Sequence, residues 1–317
     1  MKVLLTGGSS LLGRTVANLL VAREDEVTCF QRRPSDSAAT DVLGDIRDRD
    51  SLLVASKGAD AVIHLAALVA PKASWADMDA INIGGTRNAL AAATSSGRFV
   101  HISSPSVAFP DEPSIGSTAL GADYRGHDGY TRSKALAEQL VSAEAIIPTV
   151  IIRPHLIWGP GDTQLIGRIV DRARAGRLAL PDGGRALVDT TYVDDAASAI
   201  VAALDHCVVG DEATARPLVV TGGEPRPLRD LVSSILLAAD VSRTPRSIPA
   251  PVAAILGSVL ERVWPGAEPP LTHFAARQLS VAHWFDQRET RRILGWAPVV
   301  GLDEGFARLR RHFDSRT

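Results

Sequence analysis

Val3-Leu4-Leu5-Thr6-Gly7-Gly8-Ser9-Ser10-Leu11-Leu12-Gly13 is the stretch whose reading decides the fold. Three apolar residues read as a short buried strand, two glycines turn the chain, and Leu12, Val16, Leu19 and Leu20 follow at helical spacing. A glycine-rich turn between a strand and a helix is the context in which such a turn means dinucleotide binding. Backbone N–H groups at a helix N-terminus carry about half a positive charge and face the pyrophosphate, and side chains must stay out of the way. Gly7 is read as the turn and Gly13 as the residue that lets helix meet sheet; Ser9, Ser10, Leu11 and Leu12 complete the cradle. Ser10 stands where this spacing normally has another glycine, and its hydroxyl is expected to bond phosphate in a slightly altered loop.

Beyond this stretch one rhythm repeats. Apolar or β-branched runs at Glu26 to Phe30, Ala61 to Leu65, Arg98 to Ile102 and Thr149 to Ile152 alternate with segments of helical spacing. Continuously apolar strands that alternate with helices imply a parallel sheet covered on both faces, an α/β doubly wound fold. From Trp158 onward, Gly/Pro-rich joints such as Gly159-Pro160-Gly161 separate helices, with few strand runs. This half reads as a smaller, mostly helical substrate lobe. The expected division is residues 1–157 and 190–222 for the dinucleotide-binding domain, and 158–189 and 223–317 for the lobe. The lobe helix carrying Ile255, Leu256, Val259, Leu260 and Val263 is expected to be core or a substrate lid. It lacks the Lys/Arg-rich face of a membrane-surface helix.

Strand ends hold the next signals. The second strand ends in Gln31-Arg32-Arg33, where an acid would hold the adenosine ribose of NAD. Arg32 and Arg33 can pair instead with a 2′-phosphate, which favours NADP(H). If they are merely exposed strand-end residues, NAD(H) serves as well. Asp45-Ile46 and Ala66-Ala67 lie at further strand ends and are expected to contact adenine and ribose.

Composition excludes other classes. With 34 Lys and Arg against 36 Asp and Glu in 317 residues, no overall field draws nucleic acid or an anionic membrane, so a small-molecule partner is expected. The longest apolar stretch, Val62 to Ala70, is interrupted by His64 and is too short to span a bilayer. The N-terminal apolar run is too short for a signal peptide. Cys29 and Cys207 lack metal or redox spacing, and a reducing cytoplasm is the expected location.

Tyr130 and Lys134 begin a helical stretch and share one face, one turn apart. A phenol with an ordinary pKa of about 10 becomes a usable proton donor at neutral pH only beside a cation in a shielded cleft. Upstream, the fifth strand runs out through His101-Ile102-Ser103-Ser104-Pro105-Ser106 at the ligand-binding edge, where a hydroxyl can polarise a carbonyl.

Together with Asn82-x-x-Gly85-Thr86 and Arg153-Pro154, these motifs resemble the extended short-chain dehydrogenase/reductase family over essentially the whole chain, an NAD(P)-binding Rossmann fold. The resemblance implies Ser104 orienting the carbonyl and Tyr130 as general acid/base. It has Lys134 holding the nicotinamide ribose, Asn82 supporting the site, and the backbone after Pro154 meeting the carboxamide. It also implies a homodimer. Arg153-Pro154-His155-Leu156-Ile157-Trp158-Gly159-Pro160-Gly161-Asp162 and Ala282-His283-Trp284-Phe285-Asp286 are similar to the 3β-hydroxysteroid dehydrogenase-like branch, and within it to the bacterial 2-alkyl-3-oxoalkanoate reductases. That similarity implies NADPH reduction of the 3-keto group of a hydrophobic β-keto acid, with Ser106, His155 and Arg185 as substrate contacts. A 3β-hydroxysteroid dehydrogenase, a sugar-nucleotide epimerase or dehydratase, and a non-catalytic NADP-binding regulator are the alternatives.

Overall fold

Alternate residues of the strands divide between two cores. Val3, Leu5, Ile63, Val100 and Ile152 face one cluster with Val16 and Leu20, while Leu4, Val62, Phe99 and Ile151 face another with Leu90, Leu140 and Val141. A sheet buried on both faces is the outcome expected of unbroken apolar strands. The computed structural model describes residues 1–70, 73–108, 113–119, 121–125, 129–214, 216–265 and 271–315.

Seven strands form the main sheet: β1 (Lys2–Thr6), β2 (Glu26–Gln31), β3 (Thr40–Leu43), β4 (Ala61–His64), β5 (Phe99–Ile102), β6 (Thr149–Pro154) and β7 (Leu218–Val220). Their spatial order is β7-β6-β5-β4-β1-β2-β3, and every pairing is parallel. Helices α1 (Leu11–Ala22), α2 (Gly85–Ala93), α3 (Gly129–Glu144) and α4 (Val193–Asp205) supply the crossovers that parallel pairing requires. The chain leaves β1 toward β2 and β3, then returns to place β4 on the other side of β1. The reversal opens a crevice at the carboxyl ends of β1 and β4, where open α/β sheets bind ligands.

Short strands that the sequence pattern did not reveal also form a second sheet, mostly from residues after 157. Ser114–Ser117, Leu187–Val188, Arg226–Pro227 and His283–Phe285 form one four-stranded sheet. Each is two to four residues long, too short to show a period. The segment after 287 returns to the main body: Val300 N–H donates to the buried Asp195 carboxylate at the start of α4, at 3.2 Å. The lobe helix Ala250–Val263 departs from the core expectation. Ala253 and Gly257 are its buried residues, Gly257 lying against Thr272, while Ile255 and Val263 are 64% and 67% exposed. No helix among the described residues is long and apolar enough to cross a membrane.

Candidate active site

At the crevice, Gly7 adopts φ +82°, and a Cβ there would lie 2.8 Å from the Ala66 amide nitrogen. A Cβ on Gly13 would lie 2.2 Å from the Gly7 carbonyl oxygen. Only glycine lets the loop lie flat between β1, β4 and α1, so the cradle the cofactor needs is formed by backbone. The Leu11 and Leu12 amides open α1 and, as first-turn N–H groups, have no intrahelical acceptors. The geometry fits a dinucleotide pyrophosphate.

Ser10 has a different use from the one expected of it. Its hydroxyl donates to the Gly7 carbonyl at 2.9 Å and accepts from Gly13 N–H at 3.0 Å, and its own N–H donates to Gly7 O at 3.2 Å. Both of its protons hold the loop, because a helix start needs a cap and a side-chain oxygen supplies it. Ser9 is exposed beside it.

At the end of β2, Arg32 and Arg33 are exposed. Gln31 turns inward, accepting Gly8 N–H at 3.1 Å and donating to Asp41 of β3 at 2.6 Å. Asp41 also accepts Ser35 N–H at 3.0 Å. The sequence reading missed this carboxylate because it belongs to the next strand, and its oxygens are engaged inside the loop. Asp45 accepts two bonds from the Arg47 guanidinium, which holds its carboxyl down at about 2. Ile46 is buried against Gly85, and Ala66 and Ala67 are half-buried at the β4 end.

The catalytic candidates lie on α3 and just past the end of β5. Lys134 is 4% exposed, and its ammonium donates to the Ile102 carbonyl at the end of β5, at 2.6 Å. That bond brings α3 against the strand that carries Ser104, two residues further on. Burial lowers the Lys134 pKa to about 8, opposed by the charge of Glu138. Tyr130, half-buried, lies one turn earlier on α3. Ser103 is buried, whereas Ser104 is half-buried and its hydroxyl shares a 2.9 Å bond with that of Ser106. Pro154 ends β6 in the buried layer.

Asn82 is held rigidly on a π-helical turn, Asp79–Gly84, ahead of α2. Its side chain accepts Leu68 N–H at 2.6 Å and donates to Leu68 O at 3.1 Å and Ser133 Oγ at 2.8 Å; Ser133 in turn donates to Tyr130 O at 2.7 Å. Asn82 thereby fixes the first turn of α3. One further turn along α3, Glu138 is 2% exposed and paired with the fully buried Arg153 of β6. Spacing alone could have flagged Glu138, four residues after Lys134; its arginine partner was legible only in the fold.

The two other substrate candidates, His155 and Arg185, differ in their surroundings. The His155 ring is 6% exposed and its Nε2 lies 2.7 Å from His283 Nδ1. His283 Nε2–H donates to Gln278 O at 3.1 Å, so its Nδ1 accepts and His155 donates. The pair links the end of β6 to the four-stranded sheet that carries His283. Arg185 is exposed, donates to Asp182 O at 3.0 Å, and has no carboxylate partner among the described residues.

Comparison with known proteins agrees with this geometry. Residues 3–215 match the model of the NAD dependent epimerase/dehydratase family. A 2-alkyl-3-oxoalkanoate reductase of Stenotrophomonas maltophilia is 38% identical, over 98% of this chain and 98% of that one. A 2-alkyl-3-oxoalkanoate reductase of Shewanella oneidensis is 32% identical, over 96% of this chain and 84% of that one. Among solved structures, UDP-glucose 4-epimerase of Thermotoga maritima superposes with TM-score 0.78 at 18% identity, covering 100% and 99% of the two chains. The chain belongs to the NAD dependent epimerase/dehydratase family, the extended short-chain dehydrogenases/reductases, and is an oxidoreductase.

Proposed function

We propose that this protein uses NADPH to reduce the 3-keto group of a hydrophobic, 2-alkyl-substituted β-keto acid to the 3-hydroxy acid. The observation that carries this reading is the full-length similarity to two 2-alkyl-3-oxoalkanoate reductases. Support for NADPH comes from Arg32 and Arg33, which stand exposed at the β2 end, while the carboxylate of the neighbouring Asp41 is taken up by bonds from Gln31 and the Ser35 amide.

The Gly7–Gly13 loop would hold the pyrophosphate, Arg32 and Arg33 the 2′-phosphate, and Asp45, Ile46, Ala66 and Ala67 the adenosine half. Lys134 would hold the nicotinamide ribose, and the backbone after Pro154 the carboxamide. When bound, the nicotinamide supplies a hydride to the ketone carbon. Ser104 donates a hydrogen bond to the ketone oxygen and polarises it, and Ser106, its bonded neighbour, orients that hydroxyl. Tyr130 gives its phenolic proton to the oxygen as negative charge develops there, a contribution of about 10²–10⁴-fold. Lys134, whose burial strengthens its field, stabilises the phenolate left behind. Arg185, exposed and without a carboxylate partner, is available to a substrate carboxylate.

The test follows NADPH absorbance with a 2-alkyl-3-oxo acid, a 3-oxosteroid and a UDP-sugar in parallel. Stoichiometric oxidation with the oxo acid is expected. Turnover of the UDP-sugar without net cofactor consumption, and none of either ketone, would overturn the reading in favour of an epimerase.

A further inference from the structure

The segment that links β2 to β3 is pinned at both ends by one carboxylate. Gln31, the last residue of β2, and Ser35 are 7% and 1% exposed, while Arg32, Arg33 and Pro34 between them are exposed. Asp41 of β3 reaches both ends: one carboxylate oxygen accepts from Gln31 Nε2–H at 2.6 Å and the other from Ser35 N–H at 3.0 Å. The stretch from Gln31 to Ser35 is thereby closed onto the next strand. Pro34 stiffens it further, since its ring fixes its own φ and confines Arg33 to extended backbone.

The same pin reaches the glycine-rich loop. Gln31 Oε1 accepts Gly8 N–H at 3.1 Å, and a Cβ on Gly8 would lie 2.8 Å from that oxygen, so the loop rests directly on the Gln31 amide. Beyond Ser35 the chain is held as well: the Ser35 and Ser37 hydroxyls share a 2.7 Å bond, and Ala38 N–H donates to Asn18 Oδ1 of α1 at 2.9 Å. An arginine near a carboxylate ordinarily pairs with it, because a charge-assisted bond is about twice as strong as a neutral one. The Asp41 carboxylate accepts from neutral donors instead, and neither Arg32 nor Arg33 has an ion pair among the described residues.

We propose that Asp41 is a positioning residue for cofactor selection. It clamps the segment that carries Arg32 and Arg33 to β3 and, through Gln31, to the Gly7–Gly13 loop, so that the backbone bearing both guanidiniums is fixed relative to the pyrophosphate cradle before a 2′-phosphate binds. Order set in advance is not lost on binding, which favours affinity. The inference rests on the reading of Arg32 and Arg33 as the 2′-phosphate partners. The sign of the effect separates a clamp from a bystander charge. A bystander carboxylate repels a 2′-phosphate, so removing its charge would tighten NADP⁺ binding, whereas cutting a clamp loosens it.

Calorimetry with NADP⁺ and with NAD⁺, without any ketone, tests it on the wild type and two variants. Asp41→Asn keeps the shape but leaves one oxygen for two donors. Its Kd for NADP⁺ is expected to rise about tenfold, the size of one lost charge-assisted hydrogen bond, with that for NAD⁺ largely as in the wild type. Gln31→Met cuts the clamp while leaving the carboxylate charged; it should also weaken NADP⁺ more than NAD⁺, and it serves if the Asn variant does not fold. In the cofactor-free proteins, hydrogen exchange across residues 32–39 should be faster in both variants than in the wild type. Tighter or unchanged NADP⁺ binding in Asp41→Asn, or equal losses for the two cofactors, overturns the proposal. A wild type that prefers NAD⁺ overturns the reading of the two arginines and this inference with it. An NADP⁺ preference that Asp41→Asn abolishes, in a protein that reduces no ketone, leaves the clamp standing and removes the reductase reading.

Discussion

Lys134 is where activity and stability pull in opposite directions. Its pKa falls from 10.5 to about 8 mainly through burial. In the folded state the charged form is therefore disfavoured. The penalty is complete below about pH 8 and fades as pH rises toward the unfolded value, so wild-type stability gains over that window. Lys134→Met is expected to abolish most turnover yet stabilise the fold by about 2–3 kcal/mol at pH 7. Denaturant titrations at pH 7 and pH 10 should show that advantage shrinking. At the same scale, Arg32 and Arg33 are expected to choose the cofactor. Arg32→Ser with Arg33→Ser should raise KM for NADPH by about 10- to 100-fold, through loss of charge-assisted bonds, with little change for NADH. Steady-state kinetics with both cofactors decides it, and equal effects on the two would make these arginines ordinary surface residues. Helix spacing alone pairs Tyr130 with Lys134 and a strand end supplies a hydroxyl, whereas the choice of Ser104 and the ribose role of Lys134 come from the family resemblance. Asp41 could not be assigned a role, because its carboxylate meets Gln31 and Ser35 only once β3 has paired with β2.

Elements show where local pattern suffices and where it does not. The β1-turn-α1 unit was readable because glycine positions, a strand and a helical stripe coincide within thirteen residues. What the pattern misread was Ser10, which closes the turn on itself. Ser10→Ala is expected to cost about 1 kcal/mol of stability as a lost helix cap, while dinucleotide affinity measured by calorimetry stays largely as it was. A large fall in affinity with unchanged stability would return the hydroxyl to the phosphate. The helix Ala250–Val263 shows the converse limit. Its apolar spacing identified a helix, yet only Ala253 and Gly257 of its residues are buried, since periodicity reports a stripe and not what lies against it.

Among the described residues, four buried imidazoles are kept neutral. Burial lowers His64 to about 3 and His283 to about 4, and holds His101 and His155 well below the ordinary value. Each has a folded pKa depressed below its unfolded one, so the stability it contributes is present above about pH 6.5 and is lost as pH falls toward the folded value. The protein should lose stability steeply between about pH 6.5 and pH 4, and chemical denaturation across that range measures the slope. His155→Phe with His283→Phe should flatten it, and an unchanged slope would mean that other groups carry the acid response. The parallel sheet follows from the strand and helix rhythm, whereas the order of its strands is set only in the fold. The four-stranded sheet does not follow from it, because its strands are two to four residues long and come from distant parts of the chain.

Hydride delivery to a ketone carbon, with Tyr130 as proton donor, is the central claim, and isotope transfer tests it most directly. With NADPH carrying deuterium at the reactive C4 position and a 2-alkyl-3-oxo acid as substrate, mass spectrometry should find one deuterium at C3 of the 3-hydroxy product. Tyr130→Phe should slow that transfer by about 10²–10⁴-fold without loss of NADPH binding. A product with no deuterium at C3, or undiminished transfer in Tyr130→Phe, would contradict the account.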